Sequence, residues 1–558
     1  MFKKKISAAI SVLLCVLLLG GCVLDSLLEF DRADYTSKEI CSFDDMEYVR
    51  PDVQAFEDKA LEIEQALTDG TKLKAVEALL DELYAMYYSF DTMFTIADIR
   101  SCQDVSDSYY AAEYDWCSDA YYDIQETLDG VYYACAASAL GEKLEKEYFW
   151  DGFCDEYADS GESVYTEEYQ KLVYSENELL SQYRILVAEA GMELDGKEWT
   201  LEEYFTQEDS DIQRGYEAYY EKSNPLIGEL YIELVNVRNE QAALLGYDSY
   251  AQMQYELSYD RDFSPEEGEQ YIEAIKEYIV PVYKRIMEQD PYSSLSYEYV
   301  SDRELKWLLQ SAAENMGGDI AEAYDFMKTY ELWDVELRED KANMSFQTYL
   351  QDYEAPFLFI DPYGDSEDII TVCHEFGHYV DAYVNFNSYE TMDLAECFSQ
   401  SMQYIGLSAM KDNFTDDEFE NLMRMNLLDT LETFVQQASF AEFENRVYKA
   451  DELSLELAEE YGYYDGVNET YYAMSWIDTP HFFNAPYYVI SYAASAGVAL
   501  EIYALELEEN GAGLDKFCEM VQRDGSGLRE VTGAAGLPDP LSDAQTNKAA
   551  ELFADQLL

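Results

Sequence analysis

Apolar residues recur at helical spacing along most of the chain. In VEALLDELYAMYYSF (Val76–Phe90), apolar residues three and four apart form one face. Helix breakers are scarce, with 11 prolines and 27 glycines in 558 residues. The pattern predicts a mainly α protein with an N-terminal helical region over residues 46–160. Further helices are expected over 165–345, separated by polar turns such as EKSNP (221–225) and SPEEGE (264–269).

One short stretch departs from the helical pattern. APFLFIDPYGD (Ala355–Asp365) is a run of apolar and aromatic residues that ends in a proline and a glycine. This pattern predicts a strand followed by a tight loop. Asp365 or Ser366 is then placed to cap a helix, and Glu367 and Asp368 fall in its favourable first turn.

Composition narrows the class of protein. Hydrophobic residues make up 48% of the chain, which is enough for a large core and argues against disorder. The 116 acidic and 35 basic side chains give a net charge of -81. Such a surface repels phosphate backbones and anionic headgroups, which argues against nucleic acid and peripheral membrane binding. The charge serves solubility alone or also favours cationic substrates.

The first residues indicate export. Lys3, Lys4 and Lys5 precede an apolar run, Ile6–Leu19, that is shorter than the roughly 20 residues needed to span a bilayer. LGGC, ending at Cys22, resembles the lipobox of bacterial lipoproteins. The resemblance implies a signal peptide over 1–21, lipid on Cys22, a tether over 22–45 and attachment to the outer face of the cytoplasmic membrane. The alternative is an uncleaved N-terminal anchor. No later segment is expected to cross a membrane.

Eight cysteines remain after the signal and Cys22. None has the close spacing of a zinc knuckle, so a structural metal is not expected. In an exported protein, four of them are either disulfide staples of a helical hairpin or buried free thiols: Cys102, Cys117, Cys135 and Cys154.

The strongest motif is VCHEFGHYVD (Val372–Asp381), which holds two of the three histidines in the chain. Residues four apart share a helix face, so His374 and His378 can bind one ion. Zinc suits imidazole ligands, and a catalytic zinc takes three protein ligands and keeps a fourth position open. Glu375 is then placed to accept a proton from water and pass it to a leaving amine. We expect one Zn²⁺ per chain.

A second predicted helix supplies a third ligand. Glu396 lies in the apolar part of TMDLAECFSQSMQ (Thr391–Gln403), and a buried carboxylate there needs a partner such as zinc. Its alternative is a salt-bridged or solvent-facing glutamate. Asp393 is either a partner of a histidine ligand or an exposed aspartate. Cys373 and Cys397 lie about 100° around their helices from the ligands and are interpreted as packing thiols.

The third histidine lies in a tyrosine-rich segment, Ile477–Gly497. His481 is either structural or catalytic, because imidazole and phenol donors suit a tetrahedral oxyanion. Tyr488 and Tyr492 are four apart and share a face if the segment is helical.

Together these motifs resemble the zinc oligopeptidases of the thimet oligopeptidase and oligoendopeptidase F group. Arg238–Tyr250, Ala355–His378 and Gly525–Pro540 also resemble segments of that group, so the likeness covers roughly 165–558, within a catalytic region over 161–558. It implies a two-lobed helical fold with a deep substrate channel. It also implies functional roles for seven residues: zinc ligation by His374, His378 and Glu396, general-base catalysis by Glu375, and transition-state stabilisation by His481, Tyr488 and Tyr492.

Two positions are left open by this likeness. Tyr487 is an alternative to Tyr488, because the spacing after His481 varies within the group. Asp381 stands where many members carry a third, non-ligand histidine, which puts a close subfamily assignment in doubt.

The sequence therefore predicts a zinc endopeptidase for short peptides outside the cytoplasmic membrane. The peptide backbone is expected to pair with a strand edge in Ala355–Asp365, and the charge predicts a bias toward cationic peptides. A peptide-binding lipoprotein on a peptidase scaffold and a thermolysin-like protease of larger proteins are the alternatives. The sequence indicates no oligomeric state.

Overall fold

The computed structural model describes residues 37–150, 152–158, 167–188, 190–207, 211–388, 390–450 and 475–558. The described residues form two compact units. The first unit contains the described residues of 37–158 and 299–388, and the second contains those of 167–298 and 390–558. The predicted signal peptide and Cys22 lie outside the described residues.

Helices and strands are numbered in chain order. The N-terminal stretch contains α1 (Val53–Thr68), α2 (Leu73–Gln103), α3 (Ser108–Ala137), α4 (Gly141–Glu147) and α5 (Phe153–Ala158). The next stretch contains α6 (Glu167–Ala188), β1 (Met192–Leu194), β2 (Lys197–Trp199), α7 (Leu201–Phe205), α8 (Ile212–Leu244), α9 (Tyr250–Met253), α10 (Pro265–Ala274) and α11 (Val280–Met287), with π-helical turns at Gln254–Ser258 and Ile275–Ile279.

The rest of the first unit contains α12 (Asp302–Met316), α13 (Gly318–Thr329), β3 (Trp333–Asp334), β4 (Phe346–Leu350), β5 (Ala355–Phe359) and α14 (Glu367–Asn385). The C-terminal stretch contains α15 (Met392–Ala409), α16 (Asp416–Ala450), α17 (His481–Asn484), α18 (Ile490–Glu508), α19 (Ala512–Val521), α20 (Leu528–Ala534) and α21 (Asp543–Leu557). The predicted mainly α fold is confirmed.

In the first unit, α1, α2 and α3 pack on one another through the apolar faces that the sequence pattern predicts. Leu80 of α2 and Val131 of α3 are fully buried there. Part of the expected tether belongs to this unit as well. Lys38 forms an ion pair with Asp352 at 2.5 Å, and the Phe43 ring lies 4.5 Å from that of Phe357. The packed chain therefore begins before residue 46.

A small sheet supports α14. Its strand order is β3-β5-β4, with β5 parallel to β3 and antiparallel to β4. Every residue of β5 is buried, and α14 packs on β4 and β5. The predicted strand before the histidine motif is therefore confirmed, and the burial of β5 on both faces explains its unbroken apolar run.

In the second unit, α15 packs closely against α18. The first turns of α18 are rich in small buried residues, which let neighbouring elements approach the helix closely: Ser491, Ala493, Ala494, Ala496 and Gly497. By length and composition α18 is apolar enough to cross a membrane, contrary to the sequence expectation. However, 83% of its apolar window is buried inside the protein, as in the core helix of a folded unit.

Two predicted turns are wrong. EKSNP lies inside α8, which continues through Pro225, because packing of α8 along α6 outweighs the helix-breaking tendency of proline. SPEEGE is the start of α10: the Ser264 side chain accepts from the Glu267 backbone N–H, while the Glu267 side chain accepts from the Ser264 backbone N–H.

No cysteine of the described residues forms a disulfide. Of the two alternatives for the N-terminal cysteines, the disulfide staples are therefore wrong: Cys102, Cys117 and Cys135 are buried thiols, and Cys154 is half-buried. Cys373 and Cys397 are fully buried, as expected for packing thiols.

Candidate metal centre

The loop before α14 is fixed by one carboxylate of the helix. Asp368, in the first turn of α14, accepts from the backbone N–H groups of Tyr363 at 2.8 Å, Gly364 at 2.7 Å and Asp365 at 3.1 Å. Gly364 has a φ of +83°, which a side chain would strain. Burial raises the pKa of Asp368 to about 6, although the backbone donors oppose it.

The predicted cap of α14 is met in part. Ser366 is the N-cap residue, but its side chain makes no capping hydrogen bond. The Asp365 carboxylate instead accepts from the backbone N–H of Glu367 at 3.1 Å. The acidic residues predicted for the first turn are therefore present, and they fix the start of the helix that carries the histidines.

The two histidines of α14 lie side by side. The ring centroids of His374 and His378 are 5.2 Å apart, and the rings are nearly perpendicular. Burial lowers the pKa of His374 to about 4 and holds that of His378 well below its usual value, so both imidazoles are neutral at pH 7. Neutral imidazole is the form that binds a metal. Glu375, between them in sequence, is buried at 5% exposure.

Glu396 lies on α15 and is buried at 5% exposure. Its carboxylate accepts from the Ser399 hydroxyl at 3.1 Å and from the Tyr488 hydroxyl at 3.2 Å. Burial raises the pKa of Glu396 to about 7. The solvent-facing alternative is therefore wrong.

The three predicted ligands come together. One ligand atom from each of His374, His378 and Glu396 lies within 4.8 Å of the other two. Two neutral imidazoles and one carboxylate form the donor set of a catalytic zinc with an open position, so these residues fit the ion.

Two acids near the predicted ligands in sequence, Asp393 and Asp381, are buried. Asp393 is buried rather than exposed, and its carboxylate pairs with the Arg261 Nε at 3.1 Å, not with a histidine. Arg261 also donates to the Ser491 hydroxyl at 2.8 Å, so this pair ties the start of α15 to the start of α18. Asp381 is buried and accepts from the Asn385 amide at 2.8 Å.

His481 lies with two tyrosines in the second unit. Its ring centroid is 5.7 Å from that of Tyr488 and 5.9 Å from that of Tyr492, and the tyrosine centroids are 5.0 Å apart. Neither ring nitrogen of His481 has a hydrogen-bond partner among the described residues, although the side chain is buried. Burial lowers the pKa of His481 to about 4. A neutral imidazole with both nitrogens unpartnered is suited to donate to a ligand.

The helix expected to carry both tyrosines begins too late for Tyr488. α18 starts at Ile490, so Tyr492 is helical while Tyr488 precedes the helix. The condition for a shared helix face is therefore not met, although the two rings still lie 5.0 Å apart. Of the two adjacent tyrosines, Tyr488 lies beside His481. Tyr487 instead packs on Tyr448, with ring centroids 5.1 Å apart.

Sequence reasoning missed the residues that hold this segment. Arg238 of α8 is buried and donates to the carbonyls of Phe482, at 3.1 Å, and Phe483. The Tyr259 hydroxyl donates to the Pro486 carbonyl at 2.9 Å. Arg238 begins a segment singled out for its family likeness, but nothing in its spacing indicated contacts so far along the chain.

The prediction that β5 offers a strand edge to a peptide substrate is wrong. This strand is the middle one of three, and its Leu358 and Phe359 pair on both sides. β5 therefore has no edge that is free along its whole length, because β4 pairs with Ala355–Phe359 and β3 pairs with the last two residues of the strand.

Two family models match the chain. The model of the peptidase M3 N-terminal domain matches residues 43–176, and that of peptidase family M3 matches residues 323–527. Together they cover more than half of the chain, and the second includes every candidate site residue. The likeness therefore extends to the N-terminal region, where the sequence had indicated helices alone.

The similar proteins agree with these matches. Over 366 residues the chain is 26% identical to the "Oligoendopeptidase F homolog" of Lactococcus lactis subsp. lactis (strain IL1403), covering 58% of each protein. It is also 26% identical over 368 residues to "Oligoendopeptidase F, plasmid" of Lactococcus lactis subsp. cremoris, with the same coverage. The chain thus spans 58% of the length of these relatives.

A solved structure shares the fold. The structure described as PZ peptidase A with inhibitor 2 superposes with a TM-score of 0.72 at 21% identity, covering 92% of this chain and 99% of that one. At this identity the likeness concerns the fold alone.

Proposed function

Because the chain belongs to peptidase family M3, we propose that it is a zinc-dependent endopeptidase that hydrolyses short peptides. The observation that carries the proposal is the convergence of His374, His378 and Glu396 within 4.8 Å, with Glu375 directly after the first histidine. A protein that only captures peptides has no need of that glutamate.

The residues divide into ligands and proton carriers. His374, His378 and Glu396 would hold the ion, which when bound supplies a Lewis acid for polarising a carbonyl and activating water. Glu375 accepts the proton of the attacking water and then delivers it to the leaving amine. Glu375 thus carries the proton from the water to the leaving amine.

In this proposal, side chains of the second unit donate hydrogen bonds to the developing oxyanion. Neutral His481, with its ring nitrogens unpartnered among the described residues, has an N–H to donate to the developing oxyanion. The Tyr488 hydroxyl donates to Glu396 at 3.2 Å in this structure, and during the reaction its single proton would turn from that carboxylate to the oxyanion. Tyr492, whose ring lies 5.0 Å from that of Tyr488, completes the donor cluster.

One experiment separates this proposal from its alternatives. Zinc content is measured together with the cleavage of a quenched peptide and of intact casein. We expect about one zinc per chain, cleavage of the peptide, and intact casein. Peptide binding without cleavage indicates the binding protein. Rapid cleavage of casein indicates the thermolysin-like protease.

The same assay tests Glu375. Glu375→Gln is expected to keep the zinc and lower kcat by about 10²- to 10⁴-fold, the usual contribution of a general base. The matched control is Glu420→Gln, an exposed glutamate of α16, which is expected to behave as the wild type. Near-normal turnover in Glu375→Gln contradicts its assigned role.

We propose in addition that the protein is lipid-anchored outside the cytoplasmic membrane. The support is the apolar run Ile6–Leu19 followed by LGGC, which lies outside the described residues. Cys22→Ser removes the thiol that would carry the lipid and is expected to shift the protein from the membrane fraction to the soluble fraction. Unchanged membrane attachment and processing contradict the lipoprotein proposal.

The net charge of -81 supports a bias toward cationic peptides. A negative field speeds the encounter of a basic peptide, mainly at low ionic strength, where screening is weak. We expect kcat/KM for a basic peptide to exceed that of an acidic peptide of equal length, and the ratio to fall with salt. Equal values at low salt show that the charge serves solubility alone.

A further inference from the structure

Two adjacent tyrosines of the second unit have opposite surroundings. Tyr488 lies beside Glu396, His481 and Tyr492, whereas the ring of Tyr487 packs among aromatic residues that include Tyr448. A turn of the backbone separates the two side chains, because Tyr487 has a φ of +65°. The turn thus determines which tyrosine reaches the candidate site.

This backbone conformation is unfavourable for tyrosine. A bulky residue in the left-handed region is strained, and the conformation persists only when its surroundings hold it. Packing of the Tyr487 ring against Tyr448 and Tyr250, with centroids 5.1 and 6.3 Å apart, supplies part of that support. Ring packing alone does not fix the direction of a backbone N–H group.

Glu444 fixes that group. It lies on α16, is fully buried, and its Oε1 accepts from the Tyr487 backbone N–H at 3.0 Å. Its Oε2 has no hydrogen-bond partner among the described residues. Burial raises the pKa of Glu444 to about 8, opposed by the backbone N–H and by Arg238 and Arg261. The neutral acid still has a carbonyl oxygen for the N–H, so the contact does not depend on ionisation.

Other side chains bind the backbone of the residues that precede Tyr487. Arg238 binds the carbonyls of Phe482 and Phe483, and Tyr259 binds that of Pro486. Glu444 is the side chain that binds the backbone of Tyr487 itself, one residue before Tyr488. A buried glutamate in this place is costly unless it has a specific partner.

We propose that Glu444 is a positioning residue of the peptidase site. Its side-chain oxygen holds the Tyr487 N–H, and this contact turns Tyr488 so that its hydroxyl reaches Glu396 and its ring lies beside that of His481. The inference rests on the proposed function for its catalytic consequence, but not for the geometry of Tyr488.

The first test compares two substitutions at one position. Glu444→Gln keeps a carbonyl oxygen at the same reach, whereas Glu444→Leu removes the acceptor. We expect Glu444→Gln to stay within about threefold of the wild-type kcat, and Glu444→Leu to lose about 10- to 10²-fold in kcat with KM and zinc content unchanged, as expected for lost orientation. Equal losses in both variants contradict the proposal.

A double-mutant cycle with Tyr488→Phe separates positioning from general damage. If Glu444 acts through the Tyr488 hydroxyl, adding Glu444→Leu to Tyr488→Phe causes little further loss of kcat. Fully additive losses overturn the inference. Should Glu444→Leu not fold, Glu444→Asp, whose carboxylate is one methylene short of the N–H, takes its place in both tests.

A readout without turnover keeps the two proposals distinct. Fluorotyrosine placed at residue 488 reports its surroundings by ¹⁹F chemical shift in the metal-free protein. We expect the shift to move in Glu444→Leu and to stay in Glu444→Gln. If the wild type cleaves no peptide, the proposed function fails while this measurement still decides the role of Glu444. An unchanged shift in Glu444→Leu contradicts it.

Discussion

The motif region around α14 and the segment Ile477–Tyr492 are held in different ways. In the motif region, Asp368 binds backbone groups that lie three to five residues away in the sequence. In the segment, Tyr183 binds the Ile477 carbonyl from 294 residues away, and Arg238 binds the Phe482 carbonyl from 244 residues away. The loop before α14 is fixed by contacts within its own stretch of sequence, and the segment by partners elsewhere in the chain.

The two ways of holding a region suit the different roles of its side chains. Residues that hold a metal require fixed spacing, and a single helix provides it through its regular geometry. Hydrogen-bond donors such as His481 and Tyr488 require a direction that no regular element supplies, since Tyr488 precedes α18. That direction comes from buried polar contacts, so substitutions at distant residues are expected to disturb the segment and leave the motif region intact.

The largest effect is expected where the two regions share a residue. Glu396 is a predicted ligand and also accepts from the Tyr488 hydroxyl, so Glu396→Ala removes both functions. We expect zinc content to fall from about one per chain toward zero and peptide cleavage to fall by at least about 10³-fold, because three protein ligands are needed for a catalytic zinc. Metal analysis and a quenched-peptide assay measure the two effects.

Ser399→Ala is the matched control for Glu396. The Ser399 hydroxyl donates to the same carboxylate at 3.1 Å but offers no predicted ligand. We expect this variant to keep most of its zinc. Full zinc retention in Glu396→Ala would contradict the assignment of Glu396 as a ligand and would leave the two histidines as the ligands of the site.

The same contrast explains what the sequence predicted. The strand β5, the helix α14 and the position of its histidines follow from local periodicity, turn residues and spacing, which one sequence displays. Glu396 was also predictable, because a glutamate in an apolar helix segment needs a partner. The mainly α fold followed from the same signals.

Features that depend on contacts between distant parts of the chain could not be predicted from the sequence. Pro225 lies within α8 because tertiary packing outweighs local propensity. The left-handed backbone of Tyr487 and its contact to Glu444 depend on residues 43 positions apart, and no local pattern marks them. The pairing of β5 on both sides depends on β3 and β4, whose positions only the fold reveals.

The second prediction compares the adjacent tyrosines directly. Tyr488→Phe removes a hydroxyl beside Glu396 and His481, and we expect kcat to fall about 10²-fold, the usual effect of losing one oxyanion donor. Tyr487→Phe keeps the ring that packs on Tyr448, and we expect kcat within about twofold of the wild type because the packing is preserved. Zinc content is measured in both variants and is expected to stay unchanged. The reverse order of effects would make Tyr487 the donor.

The smallest effect concerns stability in the motif region. Burial raises the pKa of Asp368 from 3.8 to about 6, so between these pH values the folded protein binds a proton that the unfolded chain releases. The free energy of unfolding therefore falls as pH rises from about 4 to 6, and the loss persists above that range. Asp368→Asn cannot titrate and lacks this dependence. Relative to that variant, the free energy of unfolding of the wild type is expected to fall by on the order of 2 kcal/mol between pH 4 and pH 7.

Denaturant unfolding with a chelator present measures this free energy at each pH. The control is Asp417→Asn, which changes an exposed aspartate of α16. Parallel pH profiles for the wild type and Asp368→Asn would show that the loop before α14 is held without a buried, proton-binding carboxylate.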